Sequence, residues 1–174
     1  MKERKRNRLA GFDYTTNAKY FLTICTQNRV CYFGNVINRQ MTLNEYGQIA
    51  NNQMQWMTEQ YPYFFVHNFV IMPNHVHILC EINAVGTGRD LSAMERTGRD
   101  LSLRQRIKSI SGLMGAYKTT TSKKIHLSGN IHFQWQRSFH DHIIRNAESY
   151  HRIDNYITQN PQKWNEDTFW SDEQ

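Results

Sequence analysis

Two histidines separated by one apolar residue stand in the segment Met72–Leu79, which reads MPNHVHIL. Side chains alternate between the faces of a β-strand, so His75 and His77 would point to one face and Val76 to the other. Two imidazoles about 7 Å apart along a strand can bind one metal ion. The alternative is a half-exposed sheet surface without a metal, and this motif alone does not decide between them.

A second pair of the same kind occurs at His140-Asp141-His142. If this run is a strand, both histidines again share one face. Because the residue between them is charged, neither face would be cleanly buried. We interpret the run as a polar strand beside the site, for which a structural role is favoured over contact with substrate.

Tyr156 and Asn160 lie four residues apart in a predicted helix, and therefore on the same helical face. A tyrosine hydroxyl can act as a covalent nucleophile once it is activated, and an asparagine amide oxygen can bind a hard divalent cation. The alternative is that Tyr156 is an ordinary residue of an amphipathic helix. Asn160 would then be an ordinary C-terminal residue of that helix, before Pro161.

The motifs MPNHVHIL, WQRSFHDHIIR and YITQNPQKW occur in this order, after the opening runs YFLTICTQNR and FGNV. Together they resemble the REP-associated tyrosine transposases, a branch of the one-tyrosine HUH transposases, over residues 12–165. The resemblance implies a ferredoxin-like domain with two metal-binding histidines and a helical tyrosine, which fall here on His75, His77 and Tyr156. It also implies a third metal ligand at Asn160, where many relatives in the wider superfamily have glutamine.

The resemblance implies a metal-dependent enzyme that cleaves and rejoins single-stranded hairpin DNA through a covalent 5′-phosphotyrosine intermediate. The implied cofactor is Mg²⁺ or Mn²⁺, and the implied location is cytoplasmic, at the nucleoid. Such transesterification needs no nucleotide cofactor, and the sequence has no phosphate-binding P-loop motif. The protein would act as a homodimer or as a monomer, two states that the sequence does not distinguish.

Two other functions remain open at this stage. A domesticated transposase could keep the fold and bind single-stranded nucleic acid without catalysis, as ferredoxin-like sheets commonly do. A nucleotide hydrolase of the histidine-triad kind would need a third histidine at the position of Leu79, and leucine there counts against it.

The predicted order of elements is strand, helix, strand, strand, helix, strand, helix. It indicates an α+β fold, a ferredoxin-like antiparallel sheet with helices on one face and an added C-terminal helix that carries the tyrosine. Strands are predicted at 20–26, 64–72, 75–82, 132–135 and 139–144, with 29–40 irregular. Capping-box patterns start helices at Thr42 and Ser102, and Asn146 caps the last helix, 147–160.

Three parts are predicted along the chain: a basic arm at 1–18, the transposase-like domain at 19–165, and a loosely held acidic tail at 166–174. The domain contains a loop insertion at 84–101. The sequence TGRDLS occurs at 87–92 within this insertion and again at 97–102. Such expansions are well tolerated in surface loops.

Charge and composition favour a polyanionic partner. The chain has 174 residues and a formal net charge of +6, and a basic domain attracts nucleic acid by releasing counterions. Three cysteines without a metal or redox spacing suggest a reducing compartment, and no apolar run suits a membrane span. The candidate DNA contacts are Lys2, Arg4, Lys5, Arg6, Arg104, Arg106, Lys108, Arg137 and Arg145.

Overall fold

The computed structural model describes residues 17–83 and 107–170. The predicted contacts Lys2, Arg4, Lys5, Arg6, Arg104 and Arg106 lie outside these residues, as do both TGRDLS copies and the Ser102 capping box. The strands are β1 (Ala18–Cys25), β2 (Gly34–Ile37), β3 (Gln40–Leu43), β4 (Phe64–Ile71), β5 (His75–Ile82) and β6 (His140–Ile144). The helices are α1 (Glu45–Gln60), α2 (Ile110–Leu127) and α3 (Ala147–Gln159), and a 3₁₀ segment follows at Asn160–Glu166.

Four strands form one antiparallel sheet in the order β4-β5-β1-β6. The two central strands, β1 and β5, pair along their whole length, from Ala18 opposite Ile82 to Cys25 opposite His75. With α1 before β4 and α2 before β6, this order is the ferredoxin-like arrangement, and the predicted α+β fold is confirmed. No helix within residues 17–83 and 107–170 is long and apolar enough to cross a membrane.

Helices cover both faces of this sheet. On one face, Leu22 and Ile78 join the main apolar core, to which α1 and α2 contribute their buried side chains. On the other face, Leu79 packs with Ile153 and Ile157 of α3. The prediction of two helices on one face therefore holds for α1 and α2, whereas the added helix α3 lies across the opposite face.

The N-cap of the first helix lies two residues later than predicted. Thr42 lies in β3, where it pairs with Asn35, so the predicted capping box from Thr42 to Glu45 is wrong. Asn44 caps α1 instead, and its side-chain oxygen accepts from the backbone N–H of Gly47. The β2–β3 pairing also gives regular structure to residues 34–37 and 40 of the segment predicted to be irregular at 29–40.

The later elements follow the predictions more closely. Asn146 caps α3 by accepting from the backbone N–H of Ser149, as predicted. Helix α2 begins after Ser109, which is its N-cap, so residues 107–109 precede the helix that was predicted to start at Ser102. The predicted strand 132–135 is reduced to a single bridge between Thr26 and Trp135.

Gly34 opens the β2–β3 hairpin with a φ of +124°, and an added Cβ would lie 2.1 Å from the carbonyl oxygen of Thr42. We expect Gly34→Ala to lower the free energy of unfolding by more than about 1 kcal/mol, because neither the φ nor the space suits a side chain. Gly115→Ala is the control, since a Cβ there meets nothing within 4 Å on helix α2. It should raise stability by up to about 1 kcal/mol. Urea unfolding measures both, and equal effects would contradict this account of Gly34.

Candidate active site

His75 and His77 lie on central strand β5, on the face that α3 covers. Their side chains are 0% and 1% exposed, and their Nε2 atoms are 3.1 Å apart. Strand β1 fixes this pair from one side, because Cys25 and Thr23 stand opposite His75 and His77. The shared face predicted from the spacing is therefore present, and the two rings converge on one point.

Asn74 determines which nitrogen of His75 carries the proton. The Nδ2 amide group of Asn74 donates to the backbone carbonyls of Arg29 and Phe169, at 3.0 and 2.8 Å, so its Oδ1 is an acceptor. That Oδ1 lies 2.9 Å from Nδ1 of His75, which must donate to it. In the neutral ring, the lone pair of His75 is consequently on Nε2, facing His77.

Thr23 occupies the corresponding place beside His77. Its hydroxyl oxygen lies 2.9 Å from Nδ1 of His77, and a hydroxyl can accept from that nitrogen. With the proton on Nδ1, the Nε2 lone pairs of both rings face each other at 3.1 Å. Two such lone pairs repel unless a cation lies against both of them or one ring carries a shared proton.

Burial keeps the two imidazoles neutral at physiological pH. Desolvation lowers the pKa of His77 to about 4, and the Asp167 carboxylate opposes this only in part. The pKa of His75 lies well below its usual range, first because of burial and then because of the neighbouring His77. Neutral imidazole is the form that binds metal ions, so no proton has to be displaced at pH 7.

Asp167 completes a group that could hold a metal ion. Ligand atoms of His75, His77 and Asp167 all lie within 4.8 Å of one another. Asp167 also accepts from Nδ2 of Asn160 at 2.8 Å and from the backbone N–H of Phe169 at 2.8 Å. Sequence reasoning missed Asp167, because its distance from the histidine and tyrosine motifs forms no recognisable spacing.

Asn160 contributes an unsatisfied oxygen beside this group. It is 2% exposed, and its Oδ1 has no hydrogen-bond partner among the residues described. Buried polar atoms are rarely left unpaired, since each costs free energy. Two imidazole nitrogens, a carboxylate and an orphaned amide oxygen form a mixed nitrogen and oxygen set, which fits a divalent cation such as Mn²⁺ or Mg²⁺.

Tyr156 stands at the entrance to the group. Helix α3 places its hydroxyl 3.2 Å from Nε2 of His77, and Phe21 meets its ring edge-on at a centroid distance of 6.0 Å. The side chain is 42% exposed, so a substrate can reach it. Burial of the phenol and the nearby Asp167 carboxylate raise the pKa of Tyr156 to about 12, and the group is protonated at pH 7.

The C-terminal segment packs on the histidines in the part that is described. Phe169 stacks against His75 at a centroid distance of 4.6 Å, and Trp164 lies 5.9 Å from the same ring. Arg29 donates to the carbonyl of Thr168 and lies over the ring of Phe169. Thr168 and Phe169, which belong to the segment expected to form a loosely held tail at 166–174, thus contact Arg29 and His75.

The second histidine pair and the described candidate DNA contacts lie on the surface. His140 and His142 are exposed on β6, where they pair with Thr23 and Phe21 and so share the face of the site. Lys108, Arg137 and Arg145 are exposed as well, the first just before α2 and the other two on either side of β6. The structure gives His140 and His142 no metal-binding partner among the described residues.

Comparison with known proteins places the chain in a family. It is 33% identical over 173 residues to an uncharacterised protein of Haemophilus influenzae Rd, covering 97% of this chain and 94% of that protein. The chain therefore belongs to the same family as that protein. No protein-family model matches the sequence.

A solved structure carries the comparison further for the fold. A REP-associated tyrosine transposase bound to a REP hairpin superimposes with a TM-score of 0.55 at 21% identity, covering 94% of this chain and 74% of that one. The resemblance indicated by the sequence motifs is thus confirmed at the level of the fold. That structure has the fold in which His75, His77 and Tyr156 were expected to meet.

We expect Thr23→Val to weaken Mn²⁺ binding about 10- to 100-fold, because the change keeps the shape but removes the hydroxyl that orients His77. Thr120→Val is the control, since its hydroxyl donates to the carbonyls of Ala116 and Tyr117 within α2, away from the site. Titration calorimetry of both purified variants measures the affinity. An unchanged affinity in Thr23→Val would show that this hydroxyl does not prepare His77 as a ligand.

Proposed function

We propose that this protein is a transposase-type enzyme that transfers strands of single-stranded DNA by using Tyr156 as its nucleophile. The observation that carries the proposal is the position of the Tyr156 hydroxyl. It lies 3.2 Å from Nε2 of His77, beside a buried group that fits a divalent cation. The fold shared with a REP-associated tyrosine transposase supports the same function.

The residues that would hold the cation are His75 and His77 through Nε2, Asp167 through its carboxylate, and Asn160 through its unpaired amide oxygen. When bound, the cation would polarise the scissile phosphate and lower the pKa of the nearby phenol. Two imidazole ligands favour Mn²⁺ over Mg²⁺, because Mg²⁺ prefers sites made of oxygen alone. The surrounding rings of Trp164 and Phe169 keep water away from His75.

Tyr156 would form the new bond from its phenolic oxygen to phosphorus. The bond from phosphorus to the 3′ oxygen of the neighbouring nucleotide breaks in the same displacement. The phenolic proton leaves Tyr156, and the departing 3′ oxygen takes up a proton to become a hydroxyl. The covalent product is a 5′-phosphotyrosine, and attack by a 3′-hydroxyl of another strand reverses the step and joins the new ends.

The proposed substrate is a single-stranded DNA hairpin with short unpaired flanks. The net charge of +6 supports a polyanionic ligand, and exposed Arg137 and Arg145 flank the strand next to the site. Half-exposure of Tyr156 is consistent with a flexible single strand reaching the hydroxyl. A non-catalytic nucleic-acid-binding protein is the alternative, and the experiment on Tyr156 distinguishes the two.

We expect wild-type protein, mixed with labelled hairpin DNA and Mn²⁺, to give a slow, protease-sensitive band on a denaturing gel. Tyr156→Phe should give none, because it removes only the attacking oxygen. Tyr150→Phe is the matched control on the same helix, and its adduct should equal that of wild type. Adduct that persists in Tyr156→Phe would refute the nucleophile. DNA binding without any adduct in wild type would favour the non-catalytic alternative.

We expect Asp167→Asn to lower Mn²⁺ affinity by about tenfold or more, because cation affinity depends on the number of charged ligands. The amide can keep the oxygen that accepts from Phe169, so the segment should stay folded. Adduct formation at limiting Mn²⁺ should fall with the affinity and recover at higher Mn²⁺. Glu59→Gln is the control, because it makes the same change of charge at an exposed position of α1. Equal Mn²⁺ affinity in the two variants would remove Asp167 from the ligand set.

A further inference from the structure

The β2–β3 hairpin and the 3₁₀ segment Asn160–Glu166 enclose a cavity of about 250 Å³. This hairpin forms a separate two-stranded sheet and is not part of the four-stranded sheet. Its turn residues Asn38 and Arg39 have positive φ angles of 52° and 63°, and both line the cavity. The hairpin thus places polar side chains opposite the segment that follows the nucleophile helix.

The lining of this cavity combines groups that recognise nucleotides. Amide side chains, which can both donate and accept, match the edges of bases, and cationic side chains match phosphates. The carboxylate of Glu166 can accept from the amino group of a base. The amides are those of Asn38, Gln162 and Asn165, and the cations are Arg39 and Lys163.

Trp164 forms part of the cavity lining and also lies beside His75. It is 3% exposed, and its indole Nε1 has no hydrogen-bond partner among the residues described. Trp164 lines the cavity through other atoms, because Nε1 itself is covered by the protein. The Trp164 ring lies 5.9 Å from that of His75, so the cavity adjoins the candidate metal group.

A second cavity of about 200 Å³ connects this region to the nucleophile, because Tyr156, Asn160 and Asp167 line it. Lys163 and Glu166 line both cavities. A strand whose phosphate lies at Tyr156 would therefore have its next nucleotide beside the hairpin. Lys163 stands between the two positions, where a phosphate of that strand would pass.

We propose that the hairpin cavity binds the base of one unpaired nucleotide next to the scissile phosphate. This inference rests on the proposed function and names the part of the substrate that the protein reads directly. A volume of about 250 Å³ is below the range of about 300–1,000 Å³ usual for whole ligands, so it suits one base and excludes a base pair. Sequence choice at the cleavage point would come from this contact, while phosphate contacts hold the strand.

The test uses Tyr156→Phe protein, which we expect to bind DNA without forming an adduct. Hairpin DNA with short random flanks is incubated with the protein and Mn²⁺, and the bound molecules are sequenced. We expect enrichment of one base at a single flank position. Adding Gln162→Ala and Trp164→Phe should reduce that preference about tenfold at this position alone. Adding Gln48→Ala, an exposed site on α1, is the control and should change nothing.

Thermal melting of each variant checks that the protein is folded. Asn38→Gly keeps the positive φ of the turn and removes one amide, so it replaces Trp164→Phe if that variant unfolds. Unchanged enrichment in the cavity variants would overturn the proposal, and so would an absence of base preference or of any bound DNA. Displacement of the DNA by free nucleoside monophosphates would identify a mononucleotide site instead, which is also contrary to it.

The failure of this inference can be told apart from failure of the proposed function. Base preference without an adduct in wild-type protein would leave the cavity assigned and refute strand transfer. An adduct in wild type, with no effect of the cavity variants on base preference, would do the opposite.

Discussion

The arrangement that the site depends on is the close approach of two buried imidazoles on one central strand. Their Nε2 atoms are 3.1 Å apart, and water does not reach them because both side chains are almost completely covered. Such a pair is tolerated only if the outer nitrogens are hydrogen-bonded and the inner lone pairs meet a cation or share a proton. Asn74 and Thr23 supply the hydrogen bonds to the outer nitrogens. A cation that meets the inner lone pairs is what the proposed function requires.

The sheet makes this geometry rigid, because β5 has a hydrogen-bonded neighbour on each side. His77 is held between Thr23 of β1 and Val70 of β4, and α3 seals the same face through Ile153 and Ile157. A shift of one residue in the register would turn both histidines into the apolar core under α1 and α2. The core therefore fixes the position of the histidines as firmly as their own hydrogen bonds do.

Local patterns predicted most of the fold and part of the candidate site. Alternation in the MPNHVHIL run placed His75 and His77 on one face, and helical spacing placed Tyr156 and Asn160 together. The β2–β3 hairpin was missed because its strands are only four residues each. Asp167 and Asn74 were missed because their roles come from contacts across the fold, which no spacing along the chain records.

Exposure increases across the site from the candidate ligands to the nucleophile. His75, His77 and Asn160 are at most 2% exposed, whereas Tyr156 is 42% exposed. A cation held this deeply would exert its field in a region of low dielectric, where that field is weakened little by solvent. The Tyr156 phenol, with its pKa raised to about 12, stays protonated and unreactive until such a field acts on it. Reactivity at the open edge of the site would therefore be controlled by an ion at its closed end. A half-exposed tyrosine can then serve as a nucleophile without reacting in the cation's absence.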